Sequence, residues 1–224
     1  MLWTIICFLI AGVVVALDQI TKVIAVDKLI ELPKRTFEFI PGVLNFTYIE
    51  NDGMALGMLD SKGGRIFYMT VSTIAIIGLI VYMIVRSPKS KSFSIAVGLI
   101  IGGGIGNMID RLFFNSVLDP QNGGKVVRDF INFIGFGRLW IWVFNVADAC
   151  VCIGGGLLFL WCIISLVKEY ADDKKNKAVA AVSEKIVKSV EDSDASVETD
   201  GDMENAQKTE EQNDTTKDQE NSNE

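Results

Sequence analysis

Asp129 and Asp148 are the two side chains of this sequence best placed to do chemistry. Asp129 lies in the apolar stretch Val126-Val-Arg-Asp-Phe-Ile131, and Asp148 ends Phe144-Asn-Val-Ala-Asp148. Asp148 has no basic residue three or four positions away. Arg128 is adjacent to Asp129, but in an extended segment neighbouring side chains point to opposite faces. Asn145, three residues before Asp148, can donate a hydrogen bond without neutralising it. Two carboxylates that meet would push one pKa upward and share a proton. One could then activate water as a general base, while the protonated partner polarises a carbonyl and later protonates a leaving amine. The residues alone are equally compatible with two unrelated polar anchors.

Other polar groups sit in apolar runs, where ionisable residues are costly and therefore candidates for function. Asp18 and Lys22 are spaced i, i+4 with the acid first, as a self-neutralising pair would be. Gly102-Gly-Gly-Ile-Gly-Asn107-Met-Ile-Asp110-Arg111 combines small residues suited to close helix approach with a polar end. Asn107 and Asp110 are one turn apart, and Arg111 is a candidate partner for Asp110. The glycine run lies within an apolar helix and lacks the lysine of a phosphate-binding loop. The chain has no histidine, which removes Ser-His-Asp and Cys-His catalysis and imidazole metal sites. Cys7, Cys150, Cys152 and Cys162 all fall in apolar runs and read as small hydrophobes, not a disulfide framework.

The elements that must position these groups are membrane helices. Four segments reach the roughly 20 apolar residues that a bilayer requires. They run from about Leu2 to Val26, Ile66 to Val85, Phe93 to Phe114 and Leu139 to Val167. The first lacks the basic start and small-residue cleavage site of a secretory signal and reads as a retained helix. Arg86-Ser-Pro-Lys-Ser-Lys91, and Lys168, Lys174, Lys175 and Lys177, place those flanks in the cytoplasm by the positive-inside rule. Both termini are then cytoplasmic, and the connections 27–65 and 115–138 face outward. Val43–Ile49, between Pro41-Gly42 and Asn51-Asp-Gly53, predicts a strand in a small sheet on the outer face. Its edge could also take an extended peptide by strand addition. Residues 191–224 hold thirteen acidic side chains against Lys208 and Lys217, a local charge of −11; with −7 overall, residues 1–190 carry +4. The tail lacks aromatics after Tyr170, and its composition predicts disorder, apart from a weak amphipathic pattern over Ala178–Val190. The expectation is a membrane-embedded domain over 1–167 and a cytoplasmic acidic disordered tail over 168–224.

Five motifs in order now carry a resemblance: Asp18-Gln-Ile-Thr-Lys22, Asn51-Asp-Gly-Met-Ala55, Gly106-Asn-Met-Ile-Asp-Arg111, Val127-Arg-Asp-Phe130 and Phe144-Asn-Val-Ala-Asp148. Over about residues 1–167 the chain resembles the lipoprotein signal peptidases, signal peptidase II, which are bacterial intramembrane aspartyl proteases. The resemblance implies an all-α membrane protein, a four-helix bundle with a small extracytoplasmic β-sheet cradle. It implies Asp129 and Asp148 as the catalytic pair. Asn51, Gly53, Asn107, Asp110, Arg111 and Asn145 would shape or support the site, and Asp18 and Lys22 its architecture. The implied substrate is a prolipoprotein whose cysteine carries a diacylglyceryl group, cut immediately before that cysteine. Water and two carboxylates suffice, so no metal or organic cofactor is expected. The expected partners are the lipid-modified precursors and membrane lipid, with no nucleic acid. The protein is expected as a monomer in the bacterial cytoplasmic membrane, with its site near the outer face and sensitivity to globomycin.

Three departures stand out. The connection between Asp110 and Asp129 is about ten residues longer than the family's. Met54-Ala-Leu56 has Leu56 where an aromatic is usual. The acidic tail lies outside the resemblance. The competing reading from another class is a transporter or channel that uses the same carboxylates, which internal repeats or broken spans would favour; the two halves show no repeat. A presenilin-type protease would want Gly-x-Gly-Asp, where this chain has Gly104-Ile-Gly-Asn107. A membrane scaffold acting through its tail is a third reading.

Overall fold

The computed structural model describes residues 1–52, 62–121, 123–135, 137 and 142–220. Four helices are apolar and long enough to cross a membrane. They are α1 (Leu2–Leu29), α2 (Lys62–Arg86), α3 (Lys91–Phe113) and α4, which begins at Val146 and runs to Glu220. A small antiparallel sheet accompanies them, with β1 (Thr36–Ile40), β2 (Leu44–Asn51), β3 (Val127–Phe133) and β4 (Val143–Phe144) in that spatial order.

Local sequence sets the ends of these elements. The α2–α3 connection is sharp because Ser87 adopts a left-handed φ of 41° just past the helix and Pro88 cannot continue it. Ser90 then caps α3, its hydroxyl accepting from the Phe93 N–H. The β1–β2 turn uses Gly42 at φ 73°. β2 carries a bulge between Phe46 and Ile49, after which Ile49 opposes Asp129 and Asn51 opposes Val127.

α3 is the packing centre, and its glycines explain why. A Cβ on Gly98 would lie 2.7 Å from the Cys7 carbonyl oxygen of α1, and one on Gly104 would lie 2.6 Å from Ile76 Cδ1 of α2. A Cβ on Gly103 would collide with the Ala147 carbonyl oxygen of α4. Lipid is as apolar as leucine, so such close backbone approach, not burial of apolar area, holds these helices together. Consistent with that, Leu9, Val13, Ile20 and Val23 of α1 remain exposed. Gly103→Ala should therefore push α4 away at the residue preceding Asp148. Overpacking of this kind costs about 1–3 kcal/mol, so the purified variant should melt several degrees lower at about 2–4 °C per kcal/mol. An unchanged melting temperature would refute that packing argument.

Two apolar clusters complete the core. Cys7, Ala11, Ile76, Met83, Phe93, Val97 and Ile101 join the helices. Ala25 and Leu29 at the end of α1 join Tyr48 and Phe130 of the sheet.

One expectation needs correction. The start of the fourth span expected near Leu139 lies outside the described residues. Residues Val143–Phe144 are strand and the helix starts at Val146, so Asp148 sits in its first turn and not two turns in. Beyond the apolar span, α4 continues through Glu220. Residues 168–220 contain no proline and hold many Glu, Lys and Ala residues, which propagate a helix already nucleated by the apolar span. Residues 168–186 are exposed throughout. By compactness the chain divides into Met1–Ile163 and Ile164–Glu224.

Candidate active site

The end of α4 that carries Asp148 is built by a reciprocal cap. Asn145 is the N-cap: its Oδ1 accepts from the Asp148 N–H at 3.0 Å, and its own N–H donates to Asp148 Oδ2 at 3.2 Å. The Ala147 N–H, another unpartnered donor of the first turn, donates to Asp18 Oδ1 of α1 at 3.0 Å. Asp148 is thus fixed from both sides by groups that finish a helix terminus.

β3 supplies the other carboxylate. Because side chains alternate along a strand, Arg128 and Asp129 face opposite ways. Asp129 accepts from Asn51 Nδ2 at 3.0 Å and from Asn145 Nδ2 at 2.6 Å. Asn107 of α3 donates to Asp148 Oδ1 at 2.7 Å and accepts from Asn145 Nδ2 at 3.1 Å. The two aspartates are therefore linked through Asn145, directly and by way of Asn107. Both line a cavity of about 530 Å³ together with Asn51, Asn107, Arg111 and a wall of apolar groups that includes Met69 and Met108. Burial first, then the Asp148 charge, push the Asp129 carboxyl up to about 7; the Asn51 and Asn145 hydrogen bonds and Lys22 oppose that rise.

Behind the cavity lies a buried charge network. Lys22 Nζ is 2.8 Å from Asp18 Oδ2, 3.3 Å from Asp110 Oδ2 and 2.9 Å from Asn107 Oδ1. Asp110 accepts from Arg128 Nη2 at 2.5 Å, Nε at 3.2 Å and the Arg128 N–H at 3.0 Å. Gln19 donates to Asp18, Asp110 and the Gly106 carbonyl, and its Oε1 accepts from Arg128 Nη2 at 2.8 Å. Two acids and two bases balance at almost complete burial, the arrangement that makes buried charge tolerable.

Of the residues singled out from sequence, Asn51, Asn107, Arg111, Asp129 and Asp148 meet at one cavity, and fully buried Asn145 joins the pair. Asp18, Lys22 and Asp110 form the layer behind. Gly53, with Met54–Leu56, lies outside the described residues. The expected Arg111–Asp110 pairing is not what forms: Asp110 pairs with Lys22 and Arg128, and Arg111 turns to the cavity, with Nη1 3.4 Å from the Asn107 carbonyl. The Asp18–Lys22 pair is not self-contained, because Lys22 also serves Asp110 and Asn107. Sequence reasoning did not single out Arg128 or Gln19. The available signal was their place inside the motifs Asp18-Gln-Ile-Thr-Lys22 and Val127-Arg-Asp-Phe130.

Comparison with known proteins places this arrangement. A family model described as signal peptidase (SPase) II matches residues 10–164. The lipoprotein signal peptidase of Listeria monocytogenes is 35% identical over 173 residues, which cover 77% of this chain and 97% of that protein. That of Symbiobacterium thermophilum is 37% identical over 156 residues, covering 69% and 91% respectively. A solved structure described as a bacterial membrane enzyme aligns with a TM-score of 0.57 at 32% identity, covering 74% of this chain and 90% of that one. A match that takes in well over half of this chain, and nearly the whole of relatives at this identity, means that the chain belongs to the signal peptidase II family.

Proposed function

We propose that this protein removes signal peptides from diacylglyceryl-modified prolipoproteins, cutting the bond before the lipid-bearing cysteine with Asp129 and Asp148 as the catalytic pair. Family membership supports signal peptide cleavage from prolipoproteins. The observation that carries the aspartyl mechanism is the shared cavity, where two carboxylates tied through one asparagine face a largely apolar wall.

In this mechanism one proton is held between the two carboxylates. Burial and the neighbouring charge favour Asp129 as its resting place. Asp148 takes a proton from water as the water oxygen attacks the scissile carbonyl carbon, and Asp129 delivers its proton to the carbonyl oxygen. The resulting diol collapses: a diol proton returns to Asp129, the C–N bond breaks, and Asp148 passes its proton to the leaving amine of the cysteine. One water is consumed, the signal peptide leaves with a new carboxylic acid that ionises once it meets water, and the pair ends with the single proton it began with. The apolar wall suits acyl chains, while Asn51, Asn107 and Asn145 hold the carboxylates with fixed dipoles.

The four apolar helices and the family identity make this a multi-pass inner-membrane protein. We further propose that both termini are cytoplasmic and that the site lies near the outer face, as the basic segments Arg86–Lys91 and Lys168–Lys177 indicate. The decisive assay offers purified protein in lipid a precursor with and without its diacylglyceryl group. Cleavage of the lipid-modified form alone is expected; a folded protein that cleaves neither would overturn the proposal. Deleting residues 178–224 should leave the rate within about twofold, because in the proposed topology this stretch is cytoplasmic while the site is near the outer face, and surface changes remote from a site are nearly neutral. A large loss in a stably inserted truncation would contradict that separation.

A further inference from the structure

The connection from α3 to β3, longer than the resemblance leads one to expect, is not a loose excursion. Its base is closed by the Val126 N–H donating to the Phe114 carbonyl at 3.2 Å and by an antiparallel bridge between Asn115 and Lys125. Above that, the Ser116 N–H donates to the Gly124 carbonyl and the Gly123 N–H to the Asp119 carbonyl, each at 2.9 Å. A Cβ on Gly123 would sit 2.5 Å from Ser116 Cβ, so the two limbs touch.

One carboxylate fastens this loop to the sheet. Glu50 Oε1 accepts from the Val117 N–H at 2.7 Å, the Leu118 N–H at 3.2 Å and the Tyr48 hydroxyl at 3.0 Å. Its Oε2 accepts from the buried Ser116 hydroxyl and, at 3.4 Å, again from the Leu118 N–H. Ser116 Oγ in turn accepts from the Asp119 N–H at 2.8 Å. Tyr48 is fully buried in the cluster that seats the sheet on α1. Glu50 is therefore held by the sheet core on one side and takes up the loop's donors on the other.

The position of this clamp matters. Glu50 precedes Asn51, the last residue of β2, and opposite it in register stands Arg128, followed by Asp129. The β2–β3 register runs to Asn51↔Val127, so Asn51 stands at the end of the β2 strand. Strand ends open most readily unless something ties them down. We propose that Glu50 is a positioning residue: it clamps the 115–125 loop onto the end of β2 and thereby holds Asn51 against Asp129. This rests on the protease reading given above. It makes the inserted loop part of the frame of the site. Hydrogen bonds to a charged acceptor are roughly twice as strong as neutral ones, and a Glu50→Gln side chain presents an amide donor to a set of donors.

The test uses the full chain in lipid and the diacylglyceryl-modified precursor, with wild type and Asp129→Asn as controls. Glu50→Gln should lower kcat by about tenfold, the order expected when charge-assisted bonds are lost, with a smaller change in KM. The proton on Asp129 answers to Asp148 from α4, Lys22 from α1, Asn145, and Asn51 from β2; Asn51 favours the ionised form. Freed from Asn51, Asp129 should titrate higher, so the pH profile of kcat should move to higher pH in Glu50→Gln, as in Asn51→Ala. The double variant should be no worse than Asn51→Ala alone, since both act on one contact. Replacing 117–123 with two glycines should reproduce the Glu50→Gln profile, and serves in its place if that variant inserts poorly. A Glu50→Gln profile that coincides with wild type, or effects of Glu50→Gln and Asn51→Ala that multiply, overturns the clamp. A wild-type protein that does not cleave at all would instead sink the protease reading.

Discussion

Asp129→Asn and Asp148→Asn should each slow cleavage of the lipid-modified precursor by about a thousandfold or more, the span ascribed to general acid–base groups. The double substitution should be no slower than either single one, because a pair that shares one proton acts as a unit and its members are not additive. Asparagine keeps the shape at either position, so insertion and solubility should survive, and a loss of rate reports chemistry. Full activity in either variant would remove the aspartyl mechanism. The raised Asp129 carboxyl adds a signature in pH. With a folded value of about 7 against an ordinary 3.8, the folded protein keeps a proton that the unfolded chain releases. Stability should therefore decline as pH rises from about 4 to about 7, by roughly 1.4 kcal/mol per unit at most, and level off above. That slope should be absent in Asp129→Asn. The wild-type kcat/KM should likewise fall above about pH 7, as the shared proton is lost. A wild-type stability curve that is flat between pH 4 and 7 would mean that Asp129 does not hold the proton.

Much of this site is readable in the chain before any coordinates, and the reason is the membrane. An aspartate inside an apolar run is so costly that Asp129, Asp148, Asp18 and Asp110 announce themselves. The helices are legible for a similar cause, since lipid demands a length as well as a pattern. The strand from Leu44 is visible through its turn residues and alternation. What stays hidden is whatever depends on distant partners. Asp110 and Arg111 are neighbours in sequence, but consecutive residues on a helix diverge by about 100°, and the true partner of Asp110 is 18 positions away. The start of α4 is obscured because strand and helix are equally apolar there, and only the Asn145–Asp148 cap marks the boundary. Glu50 looks like a solvated strand residue until the loop from Ser116 to Leu118 folds back on it.

Arg128 is the clearest instance of a hidden partner, and its loss should have the largest effect on stability. Its guanidinium is nearly buried, makes two bonds to Asp110, a third to Gln19, and lies 4.1 Å from the Phe114 ring centroid. Arg128→Leu strands Asp110 with Lys22 as its one remaining cation in the network and leaves Gln19 Oε1 without that donor. Removing one member of a buried pair costs about 3–5 kcal/mol, which at about 2–4 °C per kcal/mol lowers the melting temperature by on the order of 10 °C. Arg128→Lys should recover little of this, because an ammonium cannot span two carboxylate oxygens and the Gln19 amide as a planar fork does. The backbone adds a second consequence. The Arg128 N–H also donates to Asp110 at 3.0 Å, and the next residue is Asp129. A network that relaxes here moves the Asp129 carboxylate with it, so on the proposed mechanism kcat should fall at temperatures where the variant is still folded. Melting curves and rates measured on Arg128→Leu and Arg128→Lys side by side decide the matter. If the lysine variant is as stable and as fast as wild type, the buried fork is not what ties the charge network to Asp129.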